Sequence, residues 1–263
     1  MTPQISPSSA SAYRQCPKQY AYAASAALPI FSSDLHMGEA LHATIQNILE
    51  YGQHKNRLPE LDEVASIYQS KLSILPIQQN LPSHDEIAQM VDAGIPKLEV
   101  FLNQIAPKLQ AMQQLELESW VRLYLHDQFG TVLVTGRIDM TFFDPAKNTY
   151  YVVDIKTGKT NRNSAQQNPQ LALYTASIRY RVGNDARIRA LTVYLNDGEC
   201  QKIEYDQHNL ERDLETLMVT ARAAQNDKFF EMNRGFHCQW CNYQTACFAD
   251  YPPEAVHVTT TVS

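Results

Sequence analysis

Two short stretches hold side chains able to fix a divalent cation against a phosphodiester: Gly136-Arg137-Ile138-Asp139 and Asp154-Ile155-Lys156-Thr157-Gly158. An apolar run, Tyr150-Tyr151-Val152-Val153, leads into the second and reads as a strand buried on both faces. Because side chains alternate along a strand, Asp154 and Lys156 share one face and Ile155 takes the other. Asp139 likewise faces away from its apolar neighbours Ile138 and Met140. Charges at the end of a buried strand cost free energy unless a metal or an opposite charge compensates them. A structural salt bridge accounts for either stretch alone; two acids and a lysine on adjacent strands are the minimum set for metal-assisted phosphoryl chemistry.

Other residues join this set through their spacing. His42 lies on the edge of the apolar face of a helix, one turn after Gly38, where a packed histidine is the ordinary reading. Gln170 and Tyr174 are four apart and share one helix face. Gly158-Lys159-Thr160 does not belong to a phosphate-binding P-loop, which needs a glycine where Val153 stands. Cys238, Cys241 and Cys247 form C-x2-C-x5-C, and Cys16 is the obvious fourth thiolate, whereas Cys200 beside a turn at 196–198 is an uninvolved thiol. Four thiolates suit either zinc or an iron–sulfur cluster, and spacing does not choose between them. Joining Cys16 to the triple closes almost the whole chain into a loop, worth on the order of 5 kcal/mol by analogy with a disulfide.

The elements that must position these groups follow from periodicity and punctuation. Ser6 reads as an N-cap with Pro7 at the first helical position. A helix over 37–51 presents Leu41, Ile45, Ile48 and Leu49 on one face. Residues 59–113 read as further helices broken by prolines at 59, 76, 82, 96 and 107, with Pro96 kinking or ending its helix. Strands are predicted over 115–125, 131–143, 149–156, 188–196 and 201–205. A helix over 166–180 makes a β-α-β unit, and a last helix spans 207–225. The expectation is one domain over 1–250, with a helical insertion at 53–114, a cysteine cluster at 236–250 and a flexible tail at 251–263.

Composition bounds the function classes. The 263 residues are 44% hydrophobic and 19% charged, ordinary for a folded domain. No apolar run approaches the roughly 20 residues of a membrane helix. The N-terminus lacks a signal pattern, and cysteines clustered for a metal fit a reducing cytoplasm. A net charge of −6 argues against non-specific coating of nucleic acid but not against a basic cleft. Arg179, Arg181, Arg187 and Arg189 form one local basic stretch; Lys156, Lys159 and Arg162 form another.

Taken in order, Gly38-Glu39-Ala40-Leu41-His42, Gly136-Arg137-Ile138-Asp139, Asp154-Ile155-Lys156-Thr157-Gly158 and Gln170-Leu171-Ala172-Leu173-Tyr174 resemble the RecB-like branch of the PD-(D/E)XK nucleases. Cys16 and the C-terminal triple resemble its iron–sulfur members, such as the AddB nuclease domain and the CRISPR adaptation nucleases. The opening Ser6-Pro7-Ser8-Ser9 with Cys16-Pro17 and Tyr20 is similar to the same group, and the likeness spans residues 6–250. It implies an α/β, restriction-endonuclease-like core: a central mixed sheet flanked by helices, with 53–114 as the variable part. It implies a 4Fe–4S cluster on Cys16, Cys238, Cys241 and Cys247, clasping the two terminal regions together.

The same resemblance implies a metal-dependent DNA nuclease, with exonuclease action on single strands or ends, serving recombination, repair or processing. Asp139, Asp154 and the backbone carbonyl of Ile155 would hold Mg²⁺ or Mn²⁺, with His42 as an additional ligand. Lys156 would position a water or offset charge on the phosphate, while Gln170 and Tyr174 hold the strand or the lysine. Glu118 would support a second metal, with Glu116, on the same strand face, as its substitute. DNA is the implied partner, and because no helicase motif is present, duplex opening falls to a helicase or other DNA-processing protein. The alternative is a non-catalytic subunit that binds DNA ends.

Overall fold

The computed structural model describes residues 2–250 apart from 26, 28, 75–80 and 161–166. Pro76, Arg162 and the tail at 251–263 lie outside the described residues.

A capping box starts the first helix, α1 (Pro7–Gln15): the Ser9 amide donates to Ser6 Oγ at 3.1 Å and the Ser6 amide to Ser9 Oγ at 2.9 Å. Cys16 precedes a proline, which disfavours helical backbone; it adopts an extended conformation and α2 (Pro17–Ala23) begins after it. The third helix, α3 (Ser33–Lys55), is capped by Ser32 and ends on Asn56 in the left-handed region at φ 54°. It buries Leu41, Ile45, Ile48 and Leu49.

Next come α4 (Leu61–Leu72) and α5 (His84–Val100), then a widened π turn at Phe101–Ile105 and α6 (Ala106–Gln110). Pro96 does not end α5, which runs on through it to Val100. Apolar residues on both sides of it, among them Met90, Leu98, Phe101 and Leu102, are buried, and that packing outweighs the hydrogen bond a proline cannot make.

Six strands among the described residues form one mixed sheet: β1 (Gln4–Ile5), β2 (Gln113–Asp127), β3 (Gly130–Asp144), β4 (Thr149–Lys156), β5 (Arg187–Tyr194) and β6 (Cys200–Ile203). The long β3 is its spine. One edge pairs along its length with antiparallel β2; the other pairs with parallel β1 at Leu133–Val134 and antiparallel β4 from Met140 onward. Parallel β4 and β5 are joined through α7 (Pro169–Val182), the crossover a parallel pair requires. Helix α8 (Gln207–Asn226) follows, then a short 3₁₀ turn at Phe236–Trp240 and α9 (Gln244–Asp250).

Helices cover both faces of this sheet. Tyr151, Val153 and Ile155 of β4 pack with α3, α4, α5 and α6 in one core cluster. Val152, with Val132, Val134 and Ile138 of β3, packs with α7 and α8 in the other. The helices between residues 53 and 114 therefore share a core with α3 and the sheet. Among the described residues, no helix is long and apolar enough to cross a membrane.

Candidate metal centre

The β3–β4 ladder runs from Asp144–Thr149 to Met140–Val153 and stops there. The next residues on the two strands are Asp139 and Asp154, so both acids stand where the strands part. In place of a ladder bond, the Ile155 amide donates to Asp139 Oδ2 at 2.7 Å. On the other edge of β3, Leu117 opposes Met140 and Ser119 opposes Ile138, and Glu118 between them lies in the left-handed region at φ 49°. A non-glycine residue held there costs on the order of 1–3 kcal/mol, and such outliers gather at functional sites.

Glu118 is thereby brought to the acids and to His42 of α3. His42 Nδ1 lies 3.6 Å from Asp139 Oδ1 and 3.8 Å from Glu118 Oε1, too far for hydrogen bonds. The donor atoms of His42, Glu118 and Asp139 all lie within 4.8 Å of one another. They face a cavity of about 670 Å³ that Arg137, Lys156 and Trp120 also line. A second cavity, about 690 Å³, lies beside it and shares Lys156, with Arg14, Asn168 and Thr216 in its wall.

Asp154 is 1% exposed. The Lys156 ammonium lies 2.9 Å from its Oδ2 and donates to its Oδ1 at 3.2 Å. Lys156 also donates to Gln170 Oε1 at 3.1 Å, and Gln170 Nε2 donates to the Tyr174 hydroxyl at 2.9 Å. That hydroxyl in turn donates to the Arg137 carbonyl at 2.6 Å. A Cβ on Gly136 would come within 3.0 Å of Leu173 and Tyr174 side chains, so glycine lets α7 close on β3 here.

Crowding of acids sets the electrostatics. Burial, then the Asp154 charge, push the Asp139 carboxyl up to about 7, with His42 and the Ile155 amide opposing. Burial also raises Asp154, against the pull of Lys156 and His42. For Lys156, burial works against the charge, but Asp154 and Asp139 outweigh it and hold the ammonium above the ordinary lysine value. His42 behaves alike: burial lowers it, while Glu118, Asp139 and Asp154 carry it above the ordinary histidine value. Glu118 is penalised by burial yet held below the usual carboxylate range by His42 and Arg137.

These residues fit a hard divalent cation. Asp154 Oδ2 is buried without a hydrogen-bond donor of adequate geometry, and Asp139 ionises only at the cost of a like-charged neighbour. Oxygen donors with one imidazole are the set that Mg²⁺ or Mn²⁺ accepts.

One sequence expectation changes. Glu116 does not share a face with Glu118. It takes the Arg181 guanidinium of α7 at 2.8 Å on both carboxylate oxygens, whereas Glu118 meets His42 of α3 on the opposite side of the sheet. The cause is local: the left-handed Glu118 breaks the alternation between Leu117, opposite Met140, and Ser119, opposite Ile138. Glu118 stands with His42 and Asp139 in one donor set. The Glu118–Arg137 ion pair had no signal in the sequence, since it depends on that distortion. The Ile155 side chain is in the core.

Cys16, Cys238, Cys241 and Cys247 surround one narrow cavity of about 20 Å³ with Met232 and Phe248. Cys16 reaches it from the break between α1 and α2. Burial is the main influence raising the Cys241 and Cys247 thiols, and the neighbouring cysteines add to it. Around them, Tyr20 stacks on Phe230, Tyr22 stacks on Tyr243, and the Ile30 amide donates to the Asn242 carbonyl at 2.7 Å. Cys200 is exposed at the start of β6 and is not part of this group.

The family profile described as the PD-(D/E)XK nuclease superfamily matches residues 4–248. Among solved structures, the chain is similar to SSO0001, at 12% identity and a TM-score of 0.38, covering 95% of this chain and 87% of that one. It is also similar to protein VC1899 from Vibrio cholerae, at 14% identity and a TM-score of 0.23, covering 87% of this chain and 59% of that one. No curated protein matches.

Proposed function

The chain belongs to the PD-(D/E)XK nuclease superfamily, and on that premise we propose that it is a Mg²⁺- or Mn²⁺-dependent deoxyribonuclease of the RecB-like branch. Its substrate is DNA, attacked as an exonuclease on single strands or ends. The observation that carries this reading is the meeting of Asp139, Asp154 and Lys156 where β3 and β4 part, with His42 and Glu118 closing the same cavity.

Asp139, Asp154, Glu118, His42 and the Ile155 carbonyl are the donors that would hold the ion. When bound, the ion supplies Lewis-acid polarisation of a phosphate. Lys156 is a compact cation whose stem rises from the buried strand, and its protonated form is stabilised by Asp154. It offsets negative charge developing on the phosphate rather than abstracting a proton. Gln170 and Tyr174 position that ammonium, since the hydrogen-bond series from Lys156 through both of them ends on the β3 backbone. In the second element of the proposal, the four thiolates hold a 4Fe–4S cluster joining the terminal regions, and a helicase-type partner supplies any duplex opening.

The test is cleavage of end-labelled single-stranded and double-stranded DNA with Mg²⁺, Mn²⁺ or EDTA. Wild type degrades single strands only with the metal, and Asp154→Ala and Lys156→Ala do not. Full cleavage by either variant overturns the assignment, and wild type that binds ends without cutting favours the non-catalytic alternative. Anaerobically purified protein is brown and bleaches on reduction; colourless protein holding one zinc replaces the cluster in this reading.

A further inference from the structure

We propose that the outer face of the β2–β3 hairpin is a base-stacking track that leads one unpaired nucleic-acid strand into the metal cavity. This rests on the nuclease reading above, adds the path of the strand, and narrows the substrate from single strands or ends to a single strand.

Along β2, Val121, Leu123 and Leu125 turn inward against the core shared with α7 and α8. Trp120, Arg122 and Tyr124 therefore project from the opposite face, and all three are exposed. Trp120 is 74% and Tyr124 59% exposed, a large apolar area to leave in water on a strand whose inner face is well packed. Arg122 between them has no hydrogen-bond or ion-pair partner among the described residues. Most other arginines are engaged: Arg57, Arg137, Arg181, Arg189, Arg212 and Arg222 each meet a carboxylate.

An aromatic, a free cation and a second aromatic, repeating every two residues, suit alternate contacts to base faces and a phosphate. The track is continuous with the candidate centre. Trp120, two residues from Glu118, lines the same cavity as Asp139 and Lys156, as do Thr135 and Arg137 on the neighbouring strand. Its far end is held firmly: Arg222 of α8 grips both Asp127 oxygens at 2.6 and 2.7 Å and lies over the Phe129 ring. A duplex keeps its base faces stacked on each other and offers none to these rings, so the occupant is a single strand.

The experiment uses the full chain in EDTA, where no cleavage confuses binding. In a Trp240→Phe background, Trp120 is the one remaining tryptophan. Titration with an oligothymidylate of about 20 nucleotides quenches its fluorescence, and a duplex of the same length does not. Tyr124→Ala weakens single-strand binding by about 5- to 150-fold, Tyr124→Phe restores it, and thermal midpoints stay level because the ring is exposed. Arg122→Gln lowers the slope of log affinity against log salt by about 0.7. No quenching, equal affinity in Tyr124→Ala, or equal quenching by the duplex overturns the track, even if nuclease activity is present. Quenching by single strands without nuclease activity under any metal keeps the track and overturns the catalytic reading.

Discussion

Replacing Asp139 by asparagine should stabilise the metal-free protein, and by an amount that depends on pH. Asp139 is pushed from 3.8 to about 7 by burial and by the Asp154 charge. The protonated form is therefore favoured in the fold, so stability associated with this group is full below the unfolded value and is lost as pH rises towards the folded one. At about 1.36 kcal/mol per pH unit, the loss is on the order of 2 kcal/mol at pH 5 and 4 kcal/mol at pH 8. Asparagine carries no charge to lose, and its side-chain oxygen still accepts the Ile155 amide, as a weaker neutral bond. The extra strength of the bond to the ionised wild-type carboxylate is already contained in the value of about 7, so it needs no separate allowance when two pH values are compared. The stability of Asp139→Asn relative to wild type should thus grow by on the order of 2 kcal/mol between pH 5 and pH 8. The assay is urea denaturation of both proteins in EDTA at the two pH values. A relative stability that stays level, or falls, with rising pH refutes the crowding of Asp139 against Asp154. Saturating Mn²⁺ should then raise the midpoint of wild type and leave the variant where it was.

Lys156→Met should abolish hydrolysis and cost about 3 kcal/mol in metal-free denaturation, because it strands the buried Asp154 carboxylate. Gly136→Ala forces Leu173 and Tyr174 back from 3.0 Å contacts, so it should cost about 1–3 kcal/mol and lower kcat more than it raises KM. On the proposed 4Fe–4S assignment, Cys241→Ser should remove the visible absorbance of the cluster. It should also lower the stability of the whole domain by on the order of 5 kcal/mol in denaturant, since the closed loop then opens.

How much of this was legible in the sequence depends on how local each cause is. Strand β4 has the same bounds, 149–156, in the sequence reading and in the fold, since an apolar run between a turn and charged residues is a local signal. Helix α3 begins at Ser33, four residues before its predicted start, because Ser32 supplies a cap ahead of the apolar periodicity. The two-residue β1 carries no period at all and exists because Gln4 and Ile5 pair with residues far along the chain, Leu133 and Val134. At the centre, the acids, the lysine, Gln170 and Tyr174 were visible by type and spacing. The partnership of Glu118 with His42 was not. It needs a left-handed residue opposite Asp139, and nothing in Glu116-Leu117-Glu118-Ser119 announces one.

A single backbone event accounts for the arrangement of this centre. The Leu133 amide of β3 donates to the Pro3 carbonyl at 2.8 Å, so odd-numbered residues of β3 turn their backbone groups to the edge shared by β1 and β4. Between Val134, where β1 pairing ends, and Met140, where β4 pairing begins, that edge has no strand beside it among the described residues. Arg137 falls in the gap, and its carbonyl is the acceptor that anchors Tyr174 and, through Gln170, Lys156. Asp139 falls at the end of the gap, and its carboxylate reaches across to the Ile155 amide. Pairing the strands through the gap would satisfy those backbone groups directly. It would also remove the anchor from the lysine and the space from the acids. The open edge is therefore what lets a sheet interior, otherwise hostile to charge, hold Asp139 and Asp154 beside an ammonium.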